Sequence, residues 1–338
     1  MRHDEKRMAI LKTLRDGRDP VNSAGIVRML TAAGLPMSER SVRLHLAALD
    51  AEGLTQAHGR RGRTITDRGR AVLRAPDITH RVGMLSARID QMTYRMNFDL
   101  PTRSGHVVVN ISYVDPDALH AQMDKVCKVF AEGYAMGTRA ALLAPGEMVG
   151  DEAIPAGKVG FCTVCSITVN GVLLKHGVPT ASRFGGLLEV QDGRAARFAE
   201  IIHYDGTSID PLEVFIRSGM TDYCGAIRNG NGRIGASFRE YPEDSRELVM
   251  LLSRQLDDIG LGAIMEMGLP GQPLLSTPVS TGRFGAIVVG GLNPVAVLEE
   301  TGHRVVCKAL SGLMEYNRLH HYEELPRRLK ALRSARPA

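Results

Sequence analysis

The chain has 338 residues, 44% of them hydrophobic, and a formal net charge of +5 from 42 Lys and Arg against 37 Asp and Glu. This exceeds one ordinary core and supports packed domains, which excludes a disordered chain or a single small module. No apolar run reaches the about 18–20 residues of a membrane span, the charged start does not read as a secretory signal, and five scattered cysteines fit a reducing compartment, so a cytoplasmic protein is expected.

Charge is unevenly placed. Residues 1–80 carry 15 Lys and Arg against 9 Asp and Glu, a local +6, which leaves −1 for residues 81–338. A basic module on a near-neutral remainder points to a polyanionic partner for the first part alone. Met8, Ile10, Leu11 and Leu14 predict a helix from Asp4 to Arg15, closed by Gly17. Asn22 or Ser23 caps a second helix with Ile26, Val27 and Leu30 inward. Ser38 caps a third that runs to about Glu52, with Val42, Leu46 and Leu49 on its inner stripe. Its other face shows Arg40, Ser41, Arg43, His45 and Ala47.

A hairpin follows from Gly53, with a tip of Arg60-Arg61-Gly62-Arg63 and a return through Thr64, Ile65 and Thr66, and a fourth helix starts at Asp67. Three helices and a hairpin are the order of a winged helix-turn-helix, placed at residues 1–75. On that reading Arg40, Ser41, Arg43 and His45 contact base edges or nearby phosphates of double-stranded DNA, while Arg60, Arg61 and Arg63 hold the wing on the duplex. The alternative is a protein-contact module with a solvated arginine surface. Residues 76–103 read as a linker with a connecting helix from Val82 to Met96.

The regulatory part, residues 104–330, contains a duplication. One copy runs from about 105 to 190 and the other from about 233 to 317. Pro145 and Pro270, Gly146 and Gly271, Gly157 and Gly282, and Gly160 and Gly285 all lie 125 residues apart. Each copy reads β-α-β-β-α-β, the ferredoxin-like order. The expected class is therefore α+β: a winged helix followed by a duplicated βαββαβ effector domain with pseudo-twofold symmetry.

Chemistry in the repeat is sparse. Asn170-Gly171 and Gly290-Gly291-Leu292-Asn293-Pro294 place an Asn near the start of the second helix of each copy. Free backbone N–H groups at two such ends could hold a dicarboxylate, one carboxylate per helix. Ordinary capped turns are the simpler reading of that signal alone. Cys162 and Cys165 have metal spacing, but they sit in an expected strand with no second pair nearby, so two small buried residues fit better. His320-His321 reads as solvated. His203, Asp205 and Asp210 form a candidate acid/base group, equally explained as a turn and a helix start. No P-loop, HExxH, nucleophile elbow or well-placed GxGxxG is present. An enzyme with a fused docking module is the competing class; no catalytic residue, metal ligand or cofactor is expected.

The stretch Phe161 to Leu174, with Phe184 to Glu189, Ser208 to Glu213 and Val289 to Pro294, resembles the nitrogen-responsive transcriptional repressors of the NrpR type. Their winged helix is of the kind shared with ribonuclease R. The resemblance implies a homodimeric repressor of nitrogen-assimilation genes, released from its operator by 2-oxoglutarate; a repressor that senses another small metabolite is the variant reading. Within it, Cys165, Ser166 and Thr168 would line the effector pocket beside Asn170, Gly290, Gly291 and Asn293, with Lys158, Arg183 and Arg283 as cationic candidates.

Overall fold

Asn22 Oδ1 accepts the Gly25 N–H at 2.8 Å and Ser38 Oγ accepts the Ser41 N–H at 3.2 Å, so the second and third helices begin where short polar side chains satisfy their orphan donors. These caps belong to a computed structural model of the chain that describes residues 3–15, 19–74, 84–150 and 152–334. The chain divides into two units, residues 1–81 and 82–338.

In the first unit, α1 (His3–Leu14), α2 (Ser23–Ala32) and α3 (Glu39–Ala51) enclose Ile10, Leu11, Leu14, Ile26, Leu30, Val42, Leu46 and Leu49. β1 (Thr55–Ala57) pairs antiparallel with β2 (Arg63–Ile65), Thr55 opposite Ile65, and α4 (Asp67–Arg74) follows. Val21 bridges Arg63 beside the hairpin. Gly62, at φ +119, passes so near that bridge that a Cβ there would lie 2.2 Å from the Val21 carbonyl. Only glycine fits that crossing. The expected stop at Gly17 lies outside the described residues.

The second unit opens with α5 (Met84–Arg95). It is not a free connector: Leu85, Ile89 and Met96 are buried in the same core as the strands that follow. The first copy contains β3 (His106–Val114), α6 (Pro116–Ala121), α7 (Met123–Ala131), β4 (Arg139–Leu143), the two-residue strands β5 (Met148–Val149) and β6 (Glu152–Ala153), β7 (Val159–Val164), α8 (Ile167–Lys175) and β8 (Ala181–Gln191). A joining segment supplies β9 (Arg194–His203), α9 (Pro211–Arg217) and α10 (Tyr223–Asn229). The second copy contains β10 (Gly232–Pro242), α11 (Arg246–Asp258), β11 (Ile264–Met267), β12 (Arg283–Val289), α12 (Asn293–Glu300) and β13 (Val306–Glu315).

With β14 (His320–His321), the strands of this unit other than the β5–β6 pair form two five-stranded sheets, ordered β13-β3-β7-β4-β14 and β11-β12-β10-β8-β9, with every neighbouring pair antiparallel. Each sheet has the ferredoxin-like arrangement, but its fourth strand comes from the other copy. β8 ends the first copy and pairs with β10 of the second; β13 ends the second and pairs with β3 of the first. Both cores are therefore mixed: Val109 and Val164 share one with Tyr241 and Phe284, and Phe161 shares the other with Phe238 and Ile287. The exchange builds the pseudo-twofold into the backbone ladders. His320 and His321, read as solvated, form β14 against Ala140 and Arg139 through backbone while their side chains stay half-exposed, and α13 (Leu325–Ser334) buries Leu325 and Leu329.

Candidate functional site

Two helix starts meet where the copies interlock. β7 delivers Cys165, whose N–H donates to Val108 O at 2.8 Å, and Ser166 follows as the first residue beyond it, at the N-terminal boundary of α8. β12 delivers Gly290, whose N–H donates to Gly235 O at 3.0 Å, then Gly291 and Leu292 at the corresponding boundary of α12. A Cβ on Gly291 would sit 2.1 Å from Val164 O and 2.5 Å from Asn110 Nδ2, so the two copies touch here through backbone. Neither boundary residue, Ser166 or Leu292, makes a capping side-chain hydrogen bond. The positive ends of the two helices therefore face a shared cleft with uncapped backbone.

Cys165 and Ser166 line it from one side and Gly290, Gly291 and Leu292 from the other, closed by Asn110, Tyr204, Asp210, Leu212, Ser237 and Ala309. Its enclosed space is about 20 Å³, room for a water molecule, within about 300 Å³ counting the part open to solvent. Asp210 Oδ1 accepts the Leu212 N–H at 2.9 Å and starts α9. Burial pushes this carboxyl up to about 7, helped by Glu213 and opposed by the Leu212 and Glu213 N–H groups and Arg88. Burial likewise raises the Cys165 thiol to about 12 and the Tyr204 phenol above its ordinary range.

One wall is a bulge in β13 between Lys308 and Gly312. Ala309 N donates to Glu213 Oε1 at 2.6 Å and Leu310 N to Asn110 Oδ1 at 3.2 Å, while Arg88 Nη2 of α5 donates to both the Ala309 and Leu310 carbonyls at 3.2 Å. Behind another wall lies Arg239 of β10, fully buried. It donates to Ser166 O at 2.9 Å, to Ser166 Oγ at 2.7 Å and to Asn170 Oδ1.

Of the residues expected at the pocket, Cys165, Ser166, Gly290 and Gly291 line the cleft. Thr168 is buried beneath it, its hydroxyl exchanging hydrogen bonds with the Val108 N–H and C=O at 3.1 Å. The two asparagines are not equivalent caps: Asn170 is the fourth residue of α8, and Asn293 turns its Nδ2 to Tyr134 O and Gly235 O, both at 2.8 Å. Lys158, Arg183 and Arg283 are elsewhere. Lys158 lies 3.8 Å from Asp115, Arg183 lies 3.9 Å from Glu240, and Arg283 reaches the Glu240 carbonyl at 3.5 Å. Sequence reading missed Asn110, Tyr204, Ser237 and Arg239. Ser237 and Arg239, two apart in an otherwise buried strand, were the available signal for one polar face.

Cys162 is a core residue of β7. His203 is exposed at the end of β9, its ring edge-on to Phe184, and Asp205 is exposed, whereas Asp210 belongs to the cleft wall. Among the described residues no three His, Cys, Asp or Glu are placed to hold a metal, and no helix is long and apolar enough to cross a membrane.

In the first unit, Arg40 and Arg43 are exposed on α3, with Arg43 paired to Glu39 one turn earlier, and Ser41 is half-buried. His45 is 4% exposed and cannot face a groove. It lies three residues after Val42 and four before Leu49, on the helix's inner stripe. At the hairpin Arg61 is exposed, while Arg63 Nε is held by Asp50 Oδ2 at 2.7 Å. The Arg60 side chain lies outside the described residues.

The family of NrpR regulatory domains 1 and 2 matches residues 82–321, and the ribonuclease R winged-helix domain matches residues 8–73. The chain is 34% identical over 313 residues to the global nitrogen regulator NrpRI of Methanosarcina mazei, covering 93% of this chain and 96% of that protein. It is 32% identical over 325 residues to the global nitrogen regulator NrpR of Methanocaldococcus jannaschii, covering 96% of this chain and 56% of that longer protein. The crystal structure of a nitrogen repressor-like protein from Methanococcus jannaschii superposes with a TM-score of 0.59 at 26% identity, covering 70% of this chain and 97% of that one. These relatives are named as regulators, not enzymes.

Proposed function

The chain belongs to the NrpR family of nitrogen regulators, and from that premise we propose that it is a DNA-binding transcriptional repressor of nitrogen-assimilation genes, released from its operator by a small dicarboxylate, 2-oxoglutarate. The observation that carries the effector reading is the convergence of two uncapped helix N-termini, at Ser166 and Leu292, on one cleft. Each such end favours a carboxylate. Two larger cavities, about 270 Å³ near Gly137 and Gly260 and about 280 Å³ near Arg103 and Asp258, are not lined by such a pair of helix starts. The cleft holds little more than a water as it stands, so binding opens it, and its affinity is spent partly on that change.

The output would follow from what encloses the cleft. Helix α5, the first element of the regulatory unit, packs on α8, on β13 and on the turn at Tyr204, and Ser166 just before α8, Ala309 of β13 and Tyr204 all line the cleft. A homodimer places two winged helices on two operator half-sites, and effector binding then favours the conformation that does not match their spacing. Arg40 and Arg43 would read the major groove and Arg61 the backbone. Calorimetry with 2-oxoglutarate, and a gel shift on the chain's own promoter with and without it, tests the reading. DNA binding indifferent to 2-oxoglutarate removes the effector and leaves the repressor; no DNA binding removes both.

A further inference from the structure

Arg239 is fully buried on β10, and among the described residues no carboxylate lies within ion-pair distance of its guanidinium. Three donors end on neutral oxygens of Ser166 and Asn170, and Nε makes no hydrogen bond of normal geometry, with only the buried, neutral Tyr241 phenol beside the guanidinium. Burying a charge is costly even when it is paired, and breaking such a pair is more costly still. Here the cation also sits against the positive N-terminal end of α8, which adds repulsion. Nearby, Asp210 does not supply a full counter-charge, since burial holds it largely protonated below about pH 7. A fold keeps such a feature where function uses it.

The cation is one side chain from the cleft. Its Nη2 holds Ser166 Oγ, and Ser166 lines the cleft, as does Ser237 on the same face of β10. We propose that Arg239 is the buried counter-charge for one carboxylate of the effector, with Ser166 as the hydroxyl that occupies the guanidinium while the cleft is empty. On binding, the carboxylate takes over Nη2 and Nε as a two-point acceptor and the Ser166 hydroxyl turns to it as a donor. The ligand class is a small carboxylate anion, and the planar guanidinium, rather than charge alone, sets its orientation. This rests on the proposed effector cleft and assigns its principal cation, which Lys158, Arg183 and Arg283 do not supply.

The test uses the full chain and three forms: native, Arg239→Met and Arg239→Lys. Melting temperatures are recorded alone and with 2-oxoglutarate, glutarate, succinate and sulfate, and affinities by calorimetry. Arg239→Met is expected to melt at or above the native temperature without ligand, because an uncompensated charge has been removed, and to lose at least about 100-fold in dicarboxylate affinity. Arg239→Lys, which keeps the charge without the fork, is expected to lose about tenfold. If native protein binds 2-oxoglutarate and Arg239→Met binds it equally, this inference falls while the effector reading stands. If the native protein binds another of the probes through Arg239 but not 2-oxoglutarate, the effector's identity falls and this inference stands. A ligand-free Arg239→Met protein that melts several degrees lower marks Arg239 as a structural tie and overturns the inference, as does a native protein that responds to none of the four anions, which overturns the effector reading with it.

Discussion

Leu310 N donates to Asn110 Oδ1 at 3.2 Å, joining the bulge of the second copy's exchanged strand to the central β3 of the first. Leu310 is held at φ +52, a conformation that a leucine adopts only when its surroundings fix it. Asn110→Ala leaves that buried N–H unpaired. The expected cost is about 1–3 kcal/mol, read as a lower urea midpoint at unchanged slope. A midpoint within error of native would mean that the bulge needs no such tie.

Gly291→Ala puts a methyl carbon into the Val164 carbonyl, and backbone cannot swing aside as a side chain can. Thermal unfolding should show a loss of about 1–3 kcal/mol, and effector binding should fall with it. Gly146, which has open space around it but lies at φ +85, is the useful comparison: alanine there strains the turn by about 1–2 kcal/mol without touching the seam or the effector.

Asp210 gives a pH dependence with a definite sign. Its native carboxyl titrates near 7 against an ordinary 3.8, so the folded state carries no penalty below about pH 4, gains one as pH rises, and bears it fully above about 7. Asp210→Asn keeps an acceptor for the Leu212 N–H and cannot ionise. It should be more stable than native by about 1–3 kcal/mol at pH 8 and equal to it at pH 4. Under the effector proposal, carboxylate binding to the native protein weakens from pH 6 to 8 as Asp210 ionises, and the variant flattens that profile. A native profile already flat across this range would remove Asp210 from the site.

Arg88 links the β13 bulge to α5 through two carbonyls. Arg88→Ala should leave operator affinity in the absence of effector near native and reduce the effector's weakening of that affinity by about 0.5–2 kcal/mol. The measurement is a gel-shift titration at several effector concentrations. Full release by the variant would place the coupling elsewhere.

Three arginines and a histidine separate reading from positioning in the winged helix. Arg43→Ala is expected to cost about 1–3 kcal/mol and to relax preference at one base pair. Arg61→Ala should weaken all sequences alike and lower the salt slope by about 1. Arg63, tied to Asp50, and His45, in the core, should instead lower the melting temperature when replaced by alanine. Preference at a base pair altered by His45→Ala with no loss of stability would reverse that assignment.

Much of the architecture is written locally. The helix caps at Asn22 and Ser38, the apolar stripe of α3 and the turn residues repeated at a fixed spacing depend on near neighbours, so they can be read from the chain alone. The sequence by itself therefore determined a basic winged helix and a duplicated βαββαβ unit, and pointed to Ser166 and Gly291 as parts of a site. It did not determine which sheet each final strand joins, because β8 and β13 carry the same alternation whichever partner they take. Nor did it choose among cations: Arg183 and Arg283 flank conspicuous motifs but lie by Glu240, while Arg239, inside a buried strand, reaches the cleft wall only because the strand exchange brings β10 against α8. The pairing of helix ends across the seam is likewise a long-range contact, decided when two cores pack as one, and only the tertiary structure holds it.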